Sequence, residues 1–207
     1  MNTPVRAPSR LLAPLLSVLV AVALVLSGCT GDGAGERPRK AAPARHGSPA
    51  VTSDAPDELR TRSDVGRVVG KLPGPRRRAV RRQVTRVVDQ WWEAAFLDGD
   101  YPRAGFPAAF PGFTKGAERQ ARRDKELMSN AALGPRVDSV RATRRRVLVD
   151  LLAVRHTVRA ATARFLLAFR TTGKRAGRVE VRGRLFFTRT PRGWRVFGYD
   201  VSKGVRA

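Results

Sequence analysis

The chain has 207 residues, 42% of them hydrophobic, enough for one packed domain with accessory segments and too apolar for a wholly disordered polymer. Lys and Arg number 41 against 17 Asp and Glu, a formal charge of +24, and only six of the basic residues are lysine. One cysteine excludes a disulfide within the chain, and one cysteine with two histidines leaves no recognisable zinc set, so neither a metal nor another cofactor is expected.

Arg6 and Arg10 precede an apolar run, LLAPLLSVLVAVALVL, from Leu11 to Leu26. As a helix this run would span about 24 Å, short of the hydrocarbon core of a bilayer at roughly 30 Å. A positive flank followed by a short apolar segment has the order of a secretory leader, with an uncleaved anchor helix as the alternative. The run ends in Leu26, Ser27, Gly28 and Cys29, which resembles the bacterial lipobox, where small residues precede the cleaved bond and the cysteine sulfur receives diacylglycerol. The resemblance covers the first 29 residues and implies a signal peptide over 1–28 and a lipoprotein N-terminus at Cys29, on the extracytoplasmic face of the cell membrane. Two or three chains of palmitate length hold such an anchor stably, at about 0.8 kcal/mol per buried methylene. The implied partners are membrane lipid through Cys29 and, for so basic a chain, anionic lipid, wall polymer or an envelope protein. Nucleic acid is not expected, because an exported protein does not meet it.

Residues 30–63 show no apolar period and carry Gly31, Gly33, Gly35 and Gly47 among Pro38, Pro43, Pro49 and Pro56. Such a composition buries too little surface to offset its ordering entropy, which predicts that 29–63 form a lipidated, disordered tether of about 30–35 Å reach. His46 lies in it with no second ligand nearby.

The domain is expected over 64–207. Val80, Val84, Val87, Val88, Trp91 and Ala95 recur at helical spacing from Pro75 to Leu97, with proline in the first turn and Gly99 past the end. A shorter helix is expected over 115–128, capped by Thr114 with Ala117, Ala121 and Met128 inward. After Pro135 the period becomes two: 147–154 reads as a central strand, and 161–169 and 178–190 alternate. Residues 194–201 read as the last strand, where the apolar phase slips between Val196 and Phe197 and predicts a bulge or two-sided packing. Gly173 to Gly177 and Pro191-Arg192-Gly193 read as hairpin turns. The expected class is α+β, a long N-terminal helix plus a shorter helix packed on a curved antiparallel sheet of four to five strands. This order, with the ending Trp194-Arg195-Val196-Phe197-Gly198-Tyr199-Asp200, resembles the nuclear-transport-factor-two-like cone family, and within it actinobacterial envelope proteins associated with lipid import. The resemblance implies a cone-like fold over 64–207 and no single activity, since that fold hosts many.

No phosphate-binding glycine loop or nucleophile elbow is present. Asp98, Asp100, Asp150, His156, Glu180 and Asp200 are the acid–base candidates. Asp98 and Asp100 read as turn formers and His156 as an exposed turn residue. Asp150, among Leu148, Leu152 and Val154 on one strand face, would be desolvated unless an arginine pairs with it, and no catalytic residue is assigned. Trp92, Tyr101, Phe106, Phe110, Phe113 and Tyr199 could line an apolar pocket or pack as core and lid, whereas Trp91 reads as core. Arg76, Arg77 and Arg78 in the first helical turn, with Arg82 and Arg86 repeating at i+4, oppose the helix dipole and repel one another. They are either a solvated face or a contact for anionic headgroups near the tether, which Arg144, Arg145 and Arg146 would extend. The expected function is a non-catalytic accessory or binding module of the cell envelope; a carrier or sensor of an apolar small molecule is the alternative.

Overall fold

In the computed structural model, which describes residues 59–206, the first element is a strand and not a helix. β1 (Arg62–Val69) runs parallel to β2 (Val140–Val154), with Arg62 opposite Arg146 and Val69 opposite Leu152. Its register breaks between Val65 and Val68, so its few apolar residues do not alternate, and sequence periodicity passes over it. Residues 62 and 63 therefore belong to the domain and not to the tether. The leader, Cys29 and most of the tether lie outside the described residues. No described helix is long and apolar enough to cross a membrane.

Helix α1 (Gly74–Trp92) follows Pro73 and carries Pro75 in its first turn, where a missing N–H costs nothing. It continues as a π-helical turn (Glu93–Leu97) and stops before Gly99, whose φ is +96°. Trp91, Trp92, Ala95 and Phe96 are all buried on the core side of this segment. The shorter helix is two: α2 (Lys115–Arg123) and α3 (Lys125–Met128), separated at Asp124. Thr114 caps α2 by accepting from the Ala117 N–H at 3.3 Å, and Ala117, Ala121 and Met128 point inward as their spacing predicts.

From β2 the chain is a meander. β3 (Thr157–Thr171), β4 (Gly177–Thr190) and β5 (Gly193–Arg206) each pair antiparallel with the strand before. The spatial order is β1-β2-β3-β4-β5. The class is α+β as expected, but the sheet is mixed and five-stranded, because β1 joins its edge in parallel. Arg155 and His156 form the β2–β3 turn with φ of 50° and 62°, the left-handed pair that matches strand twist in a two-residue hairpin. The predicted slip in β5 is a bulge: Phe186 faces Gly198 and Phe187 faces Val196, which leaves Phe197 unpaired and 54% exposed.

One face of the sheet packs against α1. Trp91 meets Phe165 edge to face at 5.3 Å, Phe96 lies 6.1 Å from Phe169, and the Trp91 indole N–H donates to the Met128 carbonyl at 3.1 Å. The β2 residues on this face are Val147, Val149, Leu151 and Ala153; Leu148, Asp150, Leu152 and Val154 point the other way. This phase is testable by urea unfolding. Leu151→Ala should cost about 2–5 kcal/mol, whereas Leu152→Ala, at a side chain 44% exposed, should stay within about 0.5 kcal/mol.

Candidate functional site

Asp150 stands on the outer face of the sheet, and Arg164 of β3 holds it with Nε to Oδ2 at 2.9 Å and Nη2 to Oδ1 at 3.2 Å. The Arg67 backbone N–H adds a third bond at 2.8 Å. The carboxylate thus accepts three bonds, and it borders a shallow outer-face recess of about 220 Å³ with Arg67, Val69, Leu152 and Thr162. Asp200 pairs with Arg184 at 2.9 Å and Glu180 with Arg182 at 3.7 Å. The Asp98 carboxylate accepts from the Gly99 N–H at 2.8 Å in a turn, Asp100 is exposed, and His156 sits exposed in its hairpin. Among the described residues no cluster of three metal-ligating side chains occurs.

The aromatic candidates divide. Trp92 is sealed in the core, and Phe110 and Phe113 are buried too, Phe113 against Trp91 at 6.2 Å. Tyr101 donates to the Phe96 carbonyl at 2.8 Å and accepts from Asn130 at 3.2 Å; burial pushes its phenol pKa up. Tyr199 donates to Asp124 at 2.6 Å, and burial followed by that carboxylate pushes its pKa up strongly. The same bond, with Gln120 assisting, holds the Asp124 carboxyl below its usual range. Phe106 lies under Arg103 at 4.3 Å. The six rings do not converge on one cavity: Phe106 and Phe110 share a recess of about 330 Å³, lined as much by Arg122, Lys125, Glu126 and Ser129 as by apolar groups. Core and lid packing is the role their contacts describe.

The helical arginines fall where the sequence does not place them. Arg76, Arg77, Arg78, Arg82 and Arg86 are all exposed, but Arg76 donates to the His156 carbonyl at 2.9 Å and Arg77 to the Leu72 carbonyl at 2.7 Å. The helix therefore starts at the β2–β3 turn, and β1 carries the chain to it over roughly 23 Å from the level of Arg146. This basic turn lies at the end of the sheet away from the entering chain. Arg144, Arg145 and Arg146 do not extend it. Strand alternation also splits them, with Arg144 and Arg146 exposed outward and Arg145 inward.

Arg145 is 8% exposed and ties three elements together. Its guanidinium pairs with Asp89 at 3.2 Å and with Glu93, donates to Thr61 at 2.9 Å, and lies 5.6 Å from the centre of the Trp92 ring. Thr61 in turn donates to Asp89 at 2.6 Å. The end of α1, the approach to β1 and the first half of β2 are fastened by one fork of donors.

Around this clasp the sheet ends in a row of arginines. Arg141, Arg170, Arg178 and Arg206 stand directly opposite one another across β2, β3, β4 and β5. The side chains of the first three are exposed, and none makes an ion pair among the described residues. Neighbouring strands are about 4.8 Å apart, so the row packs like charges closely. Like charges placed so are destabilising. A recess of about 600 Å³ opens beside it, lined by Arg141, Arg170 and Arg178 with Leu59, Glu93 and Leu97. Half of this row was available to sequence reasoning: Arg170 and Arg178 are equidistant from Lys174 at the centre of the hairpin loop. Arg141 joins them only because β2 bulges between Ala142 and Arg144, which composition does not reveal. No family model, curated protein or solved structure matches the chain.

Two outcomes test these assignments. Arg145→Met should cost about 2–3 kcal/mol in urea unfolding, below the 3–5 kcal/mol of a fully buried pair because Asp89 and Glu93 remain partly in water; Arg144→Met should be near neutral. Lys203 faces inward on β5, donates to the Glu126 and Ser129 carbonyls at 2.9 and 2.6 Å, and is pulled by burial from 10.5 down to about 8. The unfolded chain then binds the proton more tightly than the fold does, so stability should rise from about pH 8 to pH 10.5 as the folded group and then the unfolded one lose it. Melting temperature followed across that window should lose this contribution in Lys203→Met.

Proposed function

We propose that the protein is an exported, lipid-anchored module of the cell envelope that binds an anionic partner and performs no catalysis. The observation that carries this reading is the Leu26-Ser27-Gly28-Cys29 sequence at the end of a short apolar run with arginines before it. The order of elements supports a cone-like fold of the nuclear-transport-factor-two-like kind: a long helix lies on one face of a meander whose bulges bend its strands. The outward carboxylates Asp150, Glu180 and Asp200 each have an arginine partner, which suits a binding surface better than acid–base chemistry. Trp92, Phe110 and Phe113 are spent on the core, which weighs against a carrier of apolar ligands.

Mass analysis of the membrane-extracted protein tests the anchor. The expected chain begins at Cys29 and is heavier by its fatty groups; Cys29→Ser should retain the leader and incorporate no labelled palmitate. An intact, unmodified leader on the wild-type protein would overturn the proposal.

A further inference from the structure

We infer that the arginine row Arg141–Arg170–Arg178, and not the arginines of α1, is the surface that docks the domain onto the anionic bilayer carrying its anchor. The inference rests on the envelope reading for the membrane's position, while the choice of surface rests on the fold. Three observations on separate elements converge on this end of the sheet.

The first is uncompensated charge. Three acids on the outer face are taken by a nearer arginine, Asp150 by Arg164, Glu180 by Arg182 and Asp200 by Arg184, and Asp64, opposite Leu148 on the edge strand, makes no ion pair with the row among the described residues. Asp138, three residues before Arg141, makes no ion pair with the row among the described residues. Arg144 and Arg146 add two exposed guanidinium groups on β2 that make no ion pair among the described residues. Arg145, in the same segment, shows the alternative, because it is buried and fully partnered. A register that sets like charges face to face costs stability; Arg164 and Arg184, also opposite one another, are offset by Asp150 and Asp200, whereas the row has no such acid among the described residues and an external anion would relieve it.

The second is the path of the chain. β1 begins opposite Arg146, and Leu59, Arg60 and Arg62 line a recess shared with Arg144 and Arg146. The connection toward Cys29 therefore leaves from this end, while Arg76 to Arg78 sit at the other.

The third is the mixed character of the rim. Leu59, 40% exposed, and Leu97 share the 600 Å³ recess with the three row arginines. Apolar groups set among guanidinium forks suit a headgroup boundary, where the forks bind phosphate oxygens and the leucines meet acyl carbon. A wall phosphodiester polymer offers the same oxygens without the apolar layer, and the bilayer is the occupant the leucines favour.

The test is co-sedimentation with phosphatidylcholine vesicles with and without 30% phosphatidylglycerol (a roughly chosen working fraction) at about 0.1 M salt, where the Debye length is about 10 Å. The protein is the chain from residue 29 with Cys29→Ser; every buried core residue lies between Leu72 and Val196, so the domain remains whole. An arginine near an anionic leaflet is worth about fivefold in affinity, so Arg141→Gln/Arg170→Gln/Arg178→Gln should bind the anionic vesicles about a hundredfold more weakly. The matched triple Arg78→Gln/Arg82→Gln/Arg86→Gln, removing equal charge at the far end, should change binding by less than about threefold. Circular dichroism should show both folded, and the row triple melting no lower than wild type. If it does not fold, Arg170→Gln alone should lose about fivefold. Equal losses in the two triples, a larger loss in the helical one, or no preference for anionic vesicles would overturn the inference, as would a soluble glycerol-phosphate polymer binding as tightly as the vesicles. Row-dependent vesicle binding by a protein found unacylated in the cell would remove the anchor reading and leave this surface standing; acylation at Cys29 with vesicle binding indifferent to the row would do the reverse.

Discussion

The pairing of β1 with β2 sets the polarity of the molecule. A strand that runs parallel to its neighbour enters at the level of Arg146 and leaves at the level of Leu152, so the helix after it must begin at the far end and return. That return brings Asp89 and Glu93 back beside Arg145, where the chain entered. Were β1 absent, the same helix could pack on the same sheet face with its arginine-rich first turn next to the entering chain. The direction of one eight-residue strand thus decides which basic cluster shares an end with Leu59, the first described residue.

Charge in this protein is sorted by geometry more than by sequence neighbourhood. Three consecutive arginines, 144 to 146, have two fates, because adjacent strand residues face opposite ways. Arg145 enters a desolvated clasp whose carboxylates come from two successive turns of α1. Arg164, Arg182 and Arg184 neutralise acids across or along strands on the solvent side. The row arginines have no such partner among the described residues, and their register sets them directly against one another.

The interior is closed by rings. α1 widens into a π turn where Trp91, Trp92, Ala95 and Phe96 all reach the sheet. Phe165 and Phe169 of β3 receive them, and Phe110 and Phe113 close the side. With the aromatic volume spent this way, the recesses lie at the periphery, where arginines and backbone carbonyls set their chemistry.

What the sequence by itself determined is whatever short-range periodicity encodes: α1 with its inward stripe, the Thr114 cap, the hairpin turns, the bulge at Phe197 and the α+β class. Each of these depends on residues within about a dozen positions of one another. It also offered an arginine partner for Asp150 as the alternative to a desolvated carboxylate, though not that Asp150 faces outward. The tertiary structure alone decided the parallel edge strand, the break at Asp124 and its contact with Tyr199, the inward turn of Arg145 and the alignment of Arg141 with Arg170 and Arg178. Those depend on strand register and on contacts between residues dozens of positions apart, and a local pattern carries no record of which distant residue it will face.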